Sequence, residues 1–73
     1  MKKTFAVLSI YEKLLLKKAF NATDLAKEFN CSERTVLRYI SDIKDYLSAH
    51  HTDLRVHYSQ ATKTFEIRKV NRN

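Results

Sequence analysis

Arg34 and Arg38 stand one helical turn apart in the run Ser32-Glu33-Arg34-Thr35-Val36-Leu37-Arg38-Tyr39-Ile40. A guanidinium donates two parallel hydrogen bonds to a planar acceptor pair such as a guanine edge, and the second arginine can reach another base or a phosphate. Glu33 can accept from cytosine, hold phosphate away and so limit how the segment sits, or stabilise the positive end of a helix. The hydroxyls of Ser32 and Thr35, together with the free N–H groups of a helix start, suit a phosphate oxygen. Leu37 can touch a thymine methyl group. Further along, Arg55, His57, Lys63 and Arg68 supply cations that could track a flanking phosphate backbone.

That chemistry requires a helix whose first turns face outward while its other side is fixed. The spacing predicts such a helix over residues 33–48: Ser32 is the N-cap, and Val36, Ile40, Ile43 and Leu47 follow at intervals of 4, 3 and 4. Glu33, Arg34, Leu37 and Arg38 then lie away from the apolar stripe. A second helix is expected over 22–29, with Asn21 as N-cap, Asp24 three residues on, and Phe20 and Leu25 spaced as a hydrophobic staple. Ala22, Leu25, Ala26 and Phe29 would face inward, Lys27 and Glu28 outward. Asn30-Cys31 is the turn between the two helices, because Asn tolerates the left-handed conformation that commonly ends a helix. The small Ala26 suits the place where two helices cross closely.

A first helix is expected over 5–17, with Leu8, Tyr11 and Leu15 on its apolar face and Val7, Leu14 and Leu16 widening it. Lys17 and Lys18 would close it, where cations suit the negative end of the dipole. From Leu54 the period changes to two. Leu54, Val56 and Tyr58 alternate with Arg55, His57 and Ser59, and after a turn at Gln60 to Lys63 a second strand places Phe65 and Ile67 on its apolar face. A hairpin over 54–70 follows.

The 73 residues are read as a single domain, 1–73, mainly α with a small β-hairpin, and a hydrophobic content of 44% suffices for a modest core. A net charge of +6 suits a polyanionic partner. Gly and Pro are both absent, which removes glycine-rich phosphate loops and leaves every turn to Asn, Asp, Ser or Thr. One cysteine excludes an internal disulfide and fits a reducing compartment. Cys31 itself reads as a packed thiol. No apolar run reaches the roughly 20 residues of a membrane helix, and the Met1-Lys2-Lys3 start meets Glu12 and Lys13 without a cleavage site. A cytoplasmic location is expected. His50, His51 and Asp53 lack a fourth ligand of suitable spacing, so no metal site is expected, nor any other cofactor. With no activated nucleophile, paired carboxylates or phosphate loop, no catalytic residues are assigned and the chain is not read as an enzyme.

The stretch from Asp24 to Ile43, with its Leu25-Ala26 pair, its Ser32-Glu33-Arg34-Thr35-Val36 start, and the later Arg38 and Ile40, resembles the winged helix-turn-helix DNA-binding domain of bacterial transcription regulators. The DeoR type, the biotin-repressor type and the Mga-like activators of Gram-positive bacteria share this pattern. With the hairpin included, the resemblance covers nearly the whole chain. It implies three helices followed by a two-stranded wing, and sequence-specific binding of double-stranded DNA with Arg34, Thr35 and Arg38 at positions that usually meet the duplex. Two features depart from the pattern: Asn30 stands where Gly is usual, and the wing has no Gly. Such regulators continue into an effector or dimerisation domain, so the chain is expected to be an N-terminal DNA-binding domain or a very small regulator. A second copy on a two-fold operator is then expected, although no clear heptad or extra helix is present to hold a dimer in solution.

The competing reading is a winged-helix protein-interaction module without DNA readout, using the hairpin or the Leu14-Leu15-Leu16 region. RNA binding lacks the interleaved aromatic and cationic residues of an open binding sheet.

Overall fold

The computed structural model describes residues 2–16 and 19–70. Three helices lead into a hairpin: α1 (Lys3–Leu15), α2 (Ala22–Phe29), α3 (Glu33–His50), β1 (Leu54–Ser59) and β2 (Thr64–Lys69). This is the expected winged helix-turn-helix. The strands pair antiparallel, with Val56 opposite Ile67 and Tyr58 opposite Phe65. Phe20, between α1 and α2, adds a bridge to the free side of β2 through two backbone hydrogen bonds with Phe65, of 2.7 and 3.2 Å. The connection between the first two helices is thereby tied to the wing.

The middle of the molecule is built as its residue types dictate. Asn21 Oδ1 accepts from the Asp24 backbone N–H at 2.7 Å, and both staple residues, Phe20 and Leu25, are buried. Asn30 takes φ 54 and ψ 52, the left-handed conformation that lets the Asn30 and Cys31 N–H groups close on the carbonyls at the end of α2. The Ser32 hydroxyl caps α3 by accepting from the Thr35 N–H at 3.1 Å. A side chain at a left-handed position costs roughly 1–2 kcal/mol where no local hydrogen bonding offsets it. Asn30→Ala is therefore expected to lower stability by about 1 kcal/mol and the melting temperature by roughly 4–8 °C, whereas Asn30→Gly should melt at or above the parent. Circular-dichroism melts of the two variants check this.

Val36, Ile40, Ile43 and Leu47 of α3 are all buried and form the spine of the core, against Leu25, Ala26 and Phe29 of α2. Val56 and Phe65 close it from the wing.

Three expectations need correction. First, α1 runs from Lys3 to Leu15 instead of 5–17, and α3 continues to His50, past residue 48. The extension of α3 is held by the His51 N–H on the Leu47 carbonyl at 2.8 Å, and by the rings of His50 and His51 against Tyr46 at 4.9 and 5.6 Å. The expected closure of α1 by Lys17 and Lys18 lies outside the described residues.

Second, α1 buries Ala6, Ile10 and Leu14, with Val7 and Tyr11 partly covered, while Leu8, Leu15 and Leu16 are exposed. A helix that is apolar on both sides has no single periodic face, and packing selects the stripe holding the small Ala6. Third, Tyr58 is 43% exposed although its register puts it on the inner face. It sits at the end of β1, near the hairpin tip, where its ring meets that of Phe65 at 4.8 Å.

Candidate nucleic-acid interface

The buried face of α3 leaves a defined outer face. Arg34 and Arg38 project from its first two turns, exposed to solvent, and within the described residues neither makes an ion pair or a side-chain hydrogen bond. By contrast Lys3, Lys13 and Arg68 each meet a carboxylate, from Asp42, Glu28 and Glu66. The two arginines thus carry uncompensated charge on a rigid support.

The neighbouring residues are more committed. Ser32 and Thr35 share a hydroxyl–hydroxyl hydrogen bond of 3.0 Å on top of the capping bond. Glu33 accepts from the Thr23 hydroxyl at 2.8 Å, a link from α3 to the start of α2. That link holds the Glu33 carboxylate beside α2.

A groove of about 590 Å³ runs between α3 and the wing, lined by Thr23, Glu33, Leu37, Lys44, Tyr58 and Lys63 among others. Leu37 is 47% exposed at its edge, and the N-terminal end of α2 opens into it at Asn21 and Ala22. Lys44 and Lys63 add positive charge to the groove from α3 and from the hairpin tip. Lys63 occupies the hairpin tip with φ 57, a left-handed position forced by the tight turn from Gln60. Lys63→Gly is expected to raise the melting temperature slightly by removing that cost, while weakening binding to any polyanion; a melt and a DNA titration on the one variant separate the two effects.

The four hairpin residues singled out from the sequence do not act together. Lys63 shares the groove with α3. Arg55, His57 and Arg68 lie on the alternate face of the ladder from Val56 and Phe65, with Arg55 opposite Arg68 and His57 opposite Glu66. Arg68 is tied to Glu66 by bonds of 2.8 and 2.9 Å. Arg55 also borders a second cleft with Lys44, Leu47 and Ser48 at the far end of α3.

Lys44 was not anticipated, although it repeats the Glu33 and Leu37 face at intervals of four and seven residues. Thr23, Asn21 and Tyr58 were missed for a different reason: they join the groove only when α2 and the wing are folded against α3. Among the described residues no three His, Cys, Asp or Glu side chains gather to hold a metal ion, and no helix is long and apolar enough to cross a membrane.

No curated protein and no solved structure matches the chain significantly. A family model described as an HTH domain matches residues 7–58, which is more than half of the chain and takes in α2, the turn, α3 and most of β1. With three helices, the tight turn and the two-stranded wing in place, the chain belongs to the helix-turn-helix (HTH) domain family.

Proposed function

We propose that this domain binds double-stranded DNA sequence-specifically as a transcription regulator, or as the DNA-binding part of one. The first two turns of α3 enter the major groove, where Arg34 reads a base edge and Arg38 reads a second base or holds a phosphate. Leu37 meets a thymine methyl, and Ser32 and Thr35 stand at the phosphate end of the helix. Glu33, held by Thr23, limits the approach of the backbone at that end. Lys63 and Lys44 draw the phosphates that border the groove between α3 and the wing, while Arg55, His57 and Arg68 extend the positive surface beyond it.

The observation that carries this reading is the pair of exposed arginines, without an ion-pair partner among the described residues, opposite a fully buried face of the same helix. Such a protein acts in the cytoplasm of a bacterium or on the genome of a phage or plasmid. Two copies would occupy a two-fold operator with half-sites about 34 Å apart, or a multiple of that distance.

Fluorescence-anisotropy titration of random and selected duplexes tests the proposal. Affinity for any duplex should fall by roughly 10³-fold between about 50 and 200 mM salt, and selected duplexes should keep an advantage at the higher salt. Absence of binding at low salt would remove DNA as the partner.

A further inference from the structure

A side-chain hydrogen bond ties the start of α2 to the start of α3. Thr23, the second residue of α2, donates from Oγ1 to Oε1 of Glu33, the first residue of α3, at 2.8 Å. The bond adds little to the fold. Both side chains are exposed, and the two helices are already fixed by the buried Leu25, Ala26 and Phe29 against Val36 and Ile40. Its two ends are nevertheless rigid. Asn21 caps the turn that carries Thr23, Ser32 caps the turn that carries Glu33, and threonine is stiff at χ1. The Glu33 carboxylate therefore stands in one place before any ligand arrives.

The charge on that carboxylate decides what it can meet. Among the described residues it has no cation partner, and a carboxylate only accepts hydrogen bonds. Phosphate oxygens, guanine O6 and N7, and thymine O4 are acceptors too, so each is turned away. The donors that bases show in the major groove are the exocyclic amino groups, cytosine N4 and adenine N6. Glu33 shares the wing side of α3 with Leu37, four residues on, and both line the groove. A carboxylate offers about four lone-pair sites, and the Thr23 bond uses one of them. We infer that Thr23 is a positioning residue for base recognition: it holds Glu33 as a preformed acceptor for an exocyclic amino group of cytosine or adenine. This role rests on the DNA-binding reading above and adds an acceptor to the donors Arg34 and Arg38. A glutamate without that bond has to be ordered by the base contact itself, which forfeits about 2- to 12-fold in affinity.

The probe is a pool of duplexes with a randomised centre, bound to the intact domain, recovered and sequenced, with anisotropy titrations of recovered and random duplexes. The parent should favour cytosine or adenine at one position beside those that depend on Arg34. Thr23→Val should reduce that preference by about 2- to 12-fold and leave the other positions as they were. Its affinity for random duplex should hardly change, since no charge is lost. Thr23→Ala replaces it should the valine variant melt early. Thr23→Ser keeps the hydroxyl and should restore the preference; a merely structural tie between the helices would not act on one base position alone. Glu33→Gln should flatten the same position, because an amide donates as well as accepts, while raising affinity for random duplex by removing a negative charge. In the Glu33→Gln background Thr23→Val should have no further effect at that position. A Thr23→Val profile identical to the parent's, or a loss spread evenly over all positions, would overturn the inference while the DNA reading stands. A parent domain that selects no sequence would overturn both.

Discussion

Leu14→Ala is expected to destabilise the domain by about 2–5 kcal/mol, while Leu8→Ala, about 1.7 turns away on the same helix, shifts stability by no more than about 0.5 kcal/mol. The two side chains are chemically identical, but Leu14 is fully buried against the α3 spine and Leu8 is 57% exposed. Removing Leu14 loses the transfer free energy of its methyl groups and leaves a cavity between α1 and α3 that these elements can only partly close. A domain of this size has a total stability of roughly 4–11 kcal/mol. The Leu14 variant should therefore melt about 10–30 °C lower, with an unfolded fraction visible at physiological temperature. Ile40→Ala belongs with Leu14 because its side chain is buried in the same spine. Thermal melts by circular dichroism check all three. A larger loss for Leu8 than for Leu14 would mean that α1 sits on the core by the other face.

This contrast also marks what the amino-acid pattern can and cannot resolve. From Asn21 to Leu47 every local signal agrees: the Asn21 and Ser32 caps, the left-handed Asn30, the small Ala26 and the Val36–Ile40–Ile43–Leu47 stripe all form as their residue types require. On α1, by contrast, two apolar stripes satisfy the same helical period. Only the fit of Ala6 and Ile10 against α3 chooses between them, and that fit is a property of the packed molecule. The hairpin was legible as strands, yet its reach was not: register alone puts Tyr58 inward, but the core has ended by the level of the hairpin tip. The outer face of α3 followed directly from its inner face, so Arg34, Leu37 and Arg38 were readable as exposed. The groove beside them was not, since Thr23, Lys44, Tyr58 and Lys63 come from four separate elements or turns and meet only in the fold.

Arg34→Ala is expected to weaken binding to a selected duplex by about 1–3 kcal/mol, some 5- to 150-fold, while affinity for random duplex falls far less. The reasoning starts from what the side chain lacks. Arg34 has no carboxylate partner within the described residues, so its removal leaves no buried charge behind and costs the fold little. Any large loss of affinity then belongs to the contact with DNA. A guanidinium paired to a base edge makes two directed hydrogen bonds, and a mismatched base leaves them unmade, so its loss should flatten the preference at one base pair. A guanidinium on a phosphate makes a contact that every sequence offers, so its loss weakens all duplexes alike and lowers the steepness of the salt dependence by about one charge. Arg34→Lys separates these outcomes further, because an ammonium keeps the charge but cannot make the paired contact. A base-reading Arg34 predicts that Lys fails to restore the preference while restoring much of the non-specific affinity. If Lys restores both, Arg34 holds phosphate, and the reading of sequence passes to Arg38 one turn further along α3.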